Sequence, residues 1–365
     1  MKVLALMPAL YNTSPGQRFR LEQWARYLQK DGFNFTFLSF EDEGLHEVIY
    51  QPKQYARKVQ LMLQAFVRRL DVLTKAQNFD IIFIYREAAA IGPAVIERLI
   101  ARQGLPIIYD FDDPIWMSYN SPTNGFLSRL KWPSKTATIC RLATKVMVGN
   151  SLLAQYATQY SDRVEVVPST LDMRDYPPKS DREPKNPLTL VWTGSHSTLP
   201  FLENIKTLLQ QLASLHSFRL SVISHTDTYQ MEGVLTLSKR WNAATEAIDL
   251  HDADIGLAPF PNTGWTPWRC HGKILQYMAV GIPTIASPIG IIPDYIQDGV
   301  NGFLAQTDEE WVEKLYWLIK NPELRRKMGQ AGRETIQNYY SAEVWIPQLQ
   351  TIFEESISSH RVSKR

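Results

Sequence analysis

The chain has 365 residues, of which 44% are hydrophobic and 21% are charged, and its formal net charge is +2. This length predicts two domains, because one hydrophobic core rarely organises more than about 250–300 residues. The composition excludes a disordered protein, and no apolar run approaches the roughly 18 residues of a membrane-spanning helix. The small net charge also excludes a strongly basic, nucleic-acid-binding protein.

The cysteines and the amino terminus bear on the cellular compartment. The two cysteines, Cys140 and Cys270, lie far apart, which excludes a disulfide framework and a cysteine-based zinc site and fits a reducing compartment. The apolar stretch from Met1 to Pro8 is too short for a signal peptide and suits a first β-strand. We therefore expect a cytoplasmic protein.

Apolar runs alternate with amphipathic stretches along the chain, which is the pattern of parallel sheets covered by helices. The predicted strands of the first half are Lys2–Met7, Asn34–Ser39, Ile81–Tyr85, Pro106–Asp110 and Lys145–Gly149. The predicted strands of the second half are Thr189–Thr193, Arg219–Ser224, Ile255–Ala258, Thr284–Ala286 and Gly302–Leu304. The predicted fold class is α/β, with two doubly wound, Rossmann-like domains that face a central cleft.

A proline-rich stretch separates the two sets of strands. Residues 176–187 contain four prolines and five charged side chains, a composition that the interior of a helix or sheet does not tolerate. We therefore expect an amino-terminal domain over residues 1–176, a linker over 177–186 and a carboxyl-terminal domain over 187–341. A last helix over about 342–359 is expected to cross back to the first domain.

The stretch around residues 265–290 carries the densest chemical signal. Arg269 and Lys273 are four residues apart, so a helix that begins near Pro267 would place both on one face of its first turns. A helix amino terminus already favours an anion, and two cations there suit a diphosphate. The alternative is that both are solvated helix charges.

Several motifs give the chain a resemblance to a known family. They are Arg18–Arg20, Tyr85–Glu87, Tyr109–Asp113, Val167–Ser169, Asp254–Pro259, Arg269–Pro283, Asp298–Leu304, Glu310–Trp311, Asn321–Arg325 and Met328–Arg333. With these motifs the chain resembles the family 4 glycosyltransferases of the GT-B fold over nearly its whole length. The resemblance implies retaining sugar transfer from a nucleotide sugar, with the donor held mainly by the second domain and the acceptor mainly by the first.

The sequence departs from the common family pattern at two places. Trp268 and Gln276 stand where the family often has two glutamates, and Gln276 offers an uncharged amide for ribose or sugar hydroxyls. The segment Gly194–Ser197 stands where the family tends to have an arginine and a lysine. We expect Arg269 to supply part of the missing charge, with Gly194 and Ser195 letting backbone amides approach the diphosphate and His196 assisting.

Acidic residues follow two strands of the predicted first domain. Asp112 and Asp113 end one strand and Glu87 ends the preceding one, so these three are the candidate catalytic residues, orienting the acceptor or stabilising positive charge at the sugar. Asp112 or Asp113 could instead cap a helix, and Arg86–Glu87 could equally take part in a structural ion pair. A third interpretation, a divalent cation on Asp110 and Asp112, fits another glycosyltransferase fold, so no metal is expected.

The loop after the first strand leads into a helix and contains Gly16 and Arg18. The resemblance implies that this loop touches the donor phosphate and the acceptor, so both residues are candidate ligands. Gly-x-Gly-x-x-Gly is absent, which excludes a nicotinamide-binding fingerprint. No cofactor is expected beyond the nucleotide sugar as substrate.

A basic amphipathic stretch suggests a membrane partner. Between Lys53 and Arg69 the chain holds five cations and no acid, interleaved with apolar residues. Such a helix can lie on anionic lipid at the inner face of a membrane, or simply pack on its own sheet. The aromatic and basic loop from Trp116 to Lys135 is a second candidate surface.

The predicted function is retaining glycosyl transfer from a nucleotide sugar to a glycan, lipid or small-molecule acceptor. Two alternatives stay open at this point. One keeps the fold but makes the protein a sugar-nucleotide epimerase or a phosphorylase. The other makes it a two-domain sugar-binding protein without catalysis.

Overall fold

The computed structural model describes residues 1–49, 51–118, 130–179 and 187–362. The chain divides into two compact units. Unit 1 comprises Met1–Ser169, Trp268–Cys270 and Trp345–Arg365, and unit 2 comprises Thr170–Pro267 and His271–Val344. The stretch from Thr170 to Lys179 therefore belongs to unit 2, and residues 180–186 of the expected linker lie outside the described residues.

Unit 1 is built on a six-stranded parallel sheet with the order β2-β1-β3-β4-β5-β6. Its strands are β1 (Lys2–Met7), β2 (Asn34–Ser39), β3 (Ile81–Tyr85), β4 (Ile107–Phe111), β5 (Lys145–Val148) and β6 (Val164–Val166). The first five agree with the predicted strands to within one residue, whereas β6 was not predicted. It is a three-residue edge strand without a buried face, so no hydrophobic alternation marks it.

Helices cover both faces of this sheet. They are α1 (Pro15–Gln17), α2 (Gln23–Leu28), α3 (Glu43–Ile49), α4 (Tyr55–Leu70), α5 (Val72–Lys75), α6 (Val95–Arg102), α7 (Lys135–Leu142) and α8 (Ser151–Ala157). A π-helical turn, Arg18–Glu22, joins α1 to α2. After a short 3₁₀ turn, Gly32 ends this helical segment with a φ of 85°, the left-handed conformation expected of a C-cap glycine.

The core explains why the strands are apolar throughout. Val3, Ala5 and Met7 pack on one face of the sheet, while Leu4 and Leu6 pack on the other, because helices bury both faces. The long carboxyl-terminal helix follows unit 2 in sequence, and its residues from Trp345 onward join unit 1. There Phe353 packs against three aromatic side chains, those of Phe33, Phe35 and Phe83.

Unit 2 has a second six-stranded parallel sheet, with the order β12-β11-β10-β7-β8-β9. Its strands are β7 (Leu188–Thr193), β8 (Phe218–Ser224), β9 (Thr236–Arg240), β10 (Ile255–Ala258), β11 (Thr284–Ala286) and β12 (Phe303–Leu304). All except β9 agree with the predicted strands to within one residue. The helices in chain order are α9 (Lys206–Leu215), α10 (Glu246–Leu250), α11 (Gly272–Ala279), α12 (Ile292–Tyr295), α13 (Asp308–Lys320), α14 (Pro322–Thr335) and α15 (Ala342–Val362).

The strand orders locate the place in each unit where a ligand is expected. In doubly wound sheets, ligands bind beyond the carboxyl ends of the strands, at the point where the strand order reverses. This point lies between β1 and β3 in unit 1 and between β7 and β10 in unit 2. The loops that follow these strands contain most of the candidate residues from the sequence.

Candidate functional site

The reversal point of unit 1 carries a buried cluster of charged and polar side chains. Tyr85 ends β3, Arg86 follows it with a φ of 59°, and Asp112 and Asp113 follow β4. The Tyr85 hydroxyl donates to Oδ1 of Asp112 over 2.7 Å, and Nε of Arg86 donates to the same oxygen over 2.8 Å. Nη2 of Arg86 lies 2.6 Å from Oδ2 of Asp113. One guanidinium therefore holds both candidate carboxylates.

These contacts keep the Asp112 carboxyl ionised. Burial alone would raise its pKa, but the charges of Arg86 and Arg20 and the Tyr85 hydrogen bond outweigh burial and hold the pKa below its ordinary value. The group is therefore a carboxylate at neutral pH, suited to stabilising positive charge or accepting a hydrogen bond.

Gly16 lies directly against this cluster. A Cβ atom at this position would overlap Oδ2 of Asp112, and it would lie 2.5 Å from the Tyr85 hydroxyl and 3.0 Å from Nη2 of Arg86. Only glycine fits there without displacing these atoms. The loop after β1 thus reaches the acidic cluster, which the sequence alone did not predict.

Beneath the cluster lies a buried ion pair that sequence reasoning missed. Arg20, in the π-helical turn, donates from Nε and Nη2 to the two carboxylate oxygens of Asp110, over 2.8 and 2.5 Å. Both side chains are fully buried, and the guanidinium stands 4.6 Å from the Trp24 ring centroid. Because both Asp110 oxygens accept from Arg20, the geometry does not favour Asp110 and Asp112 as a pair of cation ligands.

Arg269 is placed differently from the helix-face prediction. That prediction is wrong, because Thr266–Trp268 forms only a short 3₁₀ turn and α11 begins at Gly272. His271 has a φ of 46°, a left-handed conformation that an α-helix interior excludes. Arg269 thus precedes the helix and belongs to unit 1, where its Nε lies 3.0 Å from Oδ1 of Asp113.

Neighbouring contacts fix the segment Trp268–Cys270 within unit 1. The carbonyl of Trp268 accepts a hydrogen bond from Asn150 over 2.9 Å, and Asn150 also caps α8. The Cys270 sulfur fills the space that a Cβ on Gly149 would need. Burial raises the pKa of this thiol to about 12, so Cys270 packs as a neutral side chain.

Two candidate residues have other partners. Glu87 forms an ion pair with Nζ of Lys135 over 2.6 Å. Nε of Arg18 donates to Oδ1 of Asn12 over 2.9 Å. The structure therefore brings Gly16, Asp112, Asp113 and Arg269 together, while Glu87 and Arg18 have these separate contacts.

The reversal point of unit 2 presents a lysine held by aromatic rings. Lys273 lies in the first turn of α11, and its Nζ stands 4.0 Å from the centroid of the Trp192 ring and 5.1 Å from that of Phe260. Trp192 is the penultimate residue of β7, and Phe260 follows β10. The two rings come from the strands that flank the reversal point.

The turn after β7 contains the segment Gly194–Ser197. The amide of Gly194 donates to the carbonyl of Ile223 over 3.0 Å. This amide is therefore not available to a ligand, contrary to the expectation from the sequence. Ser195 and His196 are exposed. The His196 ring lies 5.8 Å from that of His225, and burial together with the His196 charge lowers the pKa of His225.

Gln276 lies in a buried hydrogen-bond network of unit 2. Its amide nitrogen donates to the Tyr176 hydroxyl over 3.0 Å, and that hydroxyl donates to Oε1 of Glu246 over 2.6 Å. Gln276 is therefore bound to protein groups in this structure. No local pattern in the sequence predicts this network, because its members are far apart in the chain.

Two further observations concern metals and membranes. Over the described ranges, no group of three or more His, Cys, Asp or Glu side chains is placed to hold a metal ion. Within the same ranges, no helix is both long enough and apolar enough to cross a bilayer.

Comparison with known families and curated proteins finds both partial and nearly full-length similarities. Residues 273–335 match the family model described as glycosyl transferases group 1. N-acetyl-alpha-D-glucosaminyl L-malate synthase of Bacillus anthracis is 30% identical over 25% of this chain, and the match spans only 24% of that enzyme. Sulfoquinovosyl transferase of Arabidopsis thaliana is 23% identical over 94% of this chain and 74% of its own.

Solved structures match the fold over nearly the whole chain. Sucrose-phosphate synthase from Thermosynechococcus elongatus is similar with a TM-score of 0.69 at 14% identity, over 98% of this chain and 100% of its own. HepE of Anabaena, solved in complex with UDP and glucose, is similar with a TM-score of 0.67 at 14% identity, over 97% of this chain and 99% of its own. The predicted fold class, α/β with two doubly wound domains, is confirmed by these structures, and residues 273–335 carry the sequence pattern of glycosyl transferases group 1.

Proposed function

We propose that the protein transfers a glycosyl group, with retention of configuration, from a nucleotide sugar to a glycan, lipid or small-molecule acceptor, as its resemblance to family 4 implies. The observation that carries this proposal is Lys273, whose ammonium lies at the reversal point of unit 2 against uncharged rings. Aromatic rings attract a cation through their electron-rich faces, so both rings favour a charged ammonium at this place, where an anionic donor group can bind.

The donor diphosphate is proposed to bind at this point of unit 2. Lys273 supplies a point charge, and the first turn of α11 supplies backbone amides and a favourable dipole. Ser195, His196 and Ser197 add amides that have no hydrogen-bond partner within the described part of the chain. The UDP complexes of HepE, a protein of the same fold, support a nucleoside diphosphate as the donor part.

Arg269 and Gln276 remain proposed donor ligands of second rank. Arg269 contacts Asp113, and Gln276 contacts Tyr176, so each would have to exchange a protein partner for the ligand. We expect substitutions of these two residues to weaken donor binding less than substitution of Lys273.

Unit 1 is proposed to hold the acceptor, with Asp112 and Asp113 as the catalytic carboxylates. Asp112 is held ionised by Arg86, which suits a group that stabilises positive charge developing at the sugar. Glu87, which is paired with Lys135, is proposed to support catalysis less directly than Asp112 and Asp113. Gly16 and Arg18 are proposed to line the approach of the acceptor.

The proposed reaction needs neither a divalent metal nor a cofactor. Fixed cations and amides supply the charge that a metal would otherwise supply at a leaving diphosphate. The matched family and the matching folds do not favour an epimerase, a phosphorylase or a non-catalytic sugar-binding protein.

A ligand screen followed by product analysis tests the proposal. We expect UDP-, GDP-, ADP- or dTDP-sugars to raise the melting temperature, because a ligand of the native state stabilises it by mass action. Lys273→Ala should lose this shift, whereas Lys320→Ala, at an exposed helix end, should keep it. With a donor that binds, we expect a glycoside product of unchanged anomeric configuration. The proposal would be overturned if no donor raised the melting temperature, or if the donor were isomerised without transfer.

A peripheral contact with anionic membrane at the cytoplasmic face is a second proposal. On α4, Tyr55, Val59, Leu63 and Val67 recur every four residues, so they form one exposed apolar stripe; their side chains are 36–63% exposed. Such a stripe suits the boundary between headgroups and acyl chains.

The cations of this segment contribute less than their number suggests. Lys58 and Arg69 are buried and donate to backbone carbonyls, and Arg68 pairs with Asp42. The exposed cations Lys53 and Arg57 remain. Most of the second candidate surface, residues 119–129, lies outside the described residues.

Sedimentation with vesicles tests the membrane proposal. Binding to vesicles that contain phosphatidylserine is expected, with loss on replacing Leu63 and Val67 by Ser and partial loss in high salt. Equal and negligible binding to anionic and neutral vesicles would overturn it.

A further inference from the structure

We infer that Trp192 is a positioning residue for Lys273, and that its indole ring fixes the ammonium at the place where the donor diphosphate binds. The inference rests on the proposed function, and it adds a residue for which the sequence motifs gave no role. Trp192 is fully buried, so it would act through Lys273 and not by touching the acceptor.

The geometry suits this role. A lysine side chain has four flexible methylene groups, so an ammonium near water samples many positions. The distance of 4.0 Å between Nζ and the Trp192 ring centroid is well inside the about 6 Å over which a cation is attracted to a ring face. Phe260, at 5.1 Å, offers a second ring, so two rings attract the ammonium toward this place.

The ring itself is fixed by the sheet and by a glycine. Trp192 lies in β7, which pairs with β8 on one side and β10 on the other. A Cβ on Gly194 would lie 2.6 Å from Cη2 and 2.8 Å from Cζ2 of the indole. The indole therefore occupies the space beside Gly194, and this explains why a glycine stands at that point of the turn.

The surface pair Lys320 and Tyr316 provides a contrast within the same unit. There Nζ lies 5.9 Å from the ring centroid, and both side chains are exposed. Such a pair is weak and holds nothing in place. It is a suitable control for the general effect of removing a ring beside a lysine.

A double-mutant cycle on nucleoside diphosphate binding tests the inference. Calorimetry first measures the affinities of UDP, GDP, ADP and dTDP for the wild-type protein. The nucleotide that binds most tightly is then measured with Trp192→Phe, Trp192→Leu, Lys273→Met and the double variant Trp192→Leu/Lys273→Met. Trp192→Leu should weaken binding about 2- to 30-fold, and Trp192→Phe should restore most of it because a ring is retained. In the Lys273→Met background, Trp192→Leu should have no further effect.

Three controls separate positioning from a structural role. The matching nucleoside, which lacks the phosphates, should bind wild type and Trp192→Leu alike. Tyr316→Leu should leave the affinity unchanged. Thermal unfolding should show that the Trp192 variants are folded at the assay temperature; where Trp192→Leu does not fold, Phe260→Leu takes its place in the same cycle.

The outcomes distinguish this inference from the proposed function. Wild-type affinity in Trp192→Leu, or equal losses with and without Lys273, would overturn the positioning role while leaving Lys273 as the diphosphate ligand. Unchanged affinity in Lys273→Met would overturn the donor site itself. Absence of binding by all four nucleotides would overturn both.

Discussion

Replacement of Gly16 by alanine is expected to disable the acidic cluster of unit 1, although no charged residue is substituted. The new methyl group would overlap Oδ2 of Asp112 and lie 2.5 Å from the Tyr85 hydroxyl. The Asp112 carboxylate accepts hydrogen bonds from both Arg86 and the Tyr85 hydroxyl, so these groups cannot move independently, and overpacking of this kind costs about 1–3 kcal/mol of stability. A catalytic group displaced by about 1 Å can lose about 10²-fold in rate, so kcat should fall about 10- to 100-fold.

The assay is sugar transfer at saturating donor, at a temperature well below the melting point. Gly44→Ala is the matched control, because a Cβ there would meet its nearest atom, Oδ1 of Asp42, at an ordinary 3.6 Å. Nucleoside diphosphate affinity should change little in both variants, because the main proposed donor ligands belong to unit 2 and Arg269 of unit 1 is one of second rank. Wild-type kcat in a folded Gly16→Ala protein would refute the reasoning that Asp112 needs its present position.

Four further predictions follow from the same contacts. Lys273→Ala should weaken nucleoside diphosphate binding about 10- to 150-fold and lower kcat with little change in Tm, and Lys273→Arg should recover only part of this; calorimetry and initial rates measure both. EDTA should leave the transfer rate unchanged, whereas loss restored by Mg²⁺ or Mn²⁺ would revive a metal site. Folding lowers the pKa of Asp112, so the ionised carboxylate stabilises the protein at any pH above its unfolded pKa of about 3.9, and this stabilisation is lost as the pH falls through the folded pKa. The difference in unfolding free energy between wild type and Asp112→Asn should therefore be constant from pH 7 to about 4 and shrink below that. Arg20→Met should destabilise the protein by about 3–5 kcal/mol in denaturant unfolding, since Asp110 would be left buried and unpaired, and adding Asp110→Leu should recover most of this.

The strands were predictable from the sequence because both faces of each sheet are covered. Buried strands such as β3 and β7 are apolar at nearly every position, and this signal is strong over five or six residues. The edge strands β6 and β9 carry no such signal. The sequence of β9 is Thr-Leu-Ser-Lys-Arg, which is mostly polar, and the strand is at most half-buried along its length. Its position follows only from pairing with β8, which a local pattern does not encode.

The candidate acidic residues were predictable in kind but not in partnership. The position of Asp112 after a strand indicated the carboxyl edge of the sheet, and the structure agrees. Its contacts with Gly16 and Arg86 depend on the strand order β1-β3-β4, which brings three distant loops to one edge. Arg269 was misplaced for a local reason, because nothing in the sequence showed that His271 would adopt a left-handed conformation.

The two reversal points hold their charges by different physical means. In unit 1, carboxylates are held by guanidinium groups, an arrangement in which each buried charge depends on its partner, so that removing Arg86 would leave Asp112 without its ion pair. In unit 2, rings that carry no net charge lie against the ammonium of Lys273, so removing a ring takes away an attraction without removing a counter-charge. A carboxylate that must stay ionised requires a permanent counter-charge, whereas a cation that must bind a diphosphate has to keep its charge available. The difference in support therefore matches the different chemistry proposed for the two units.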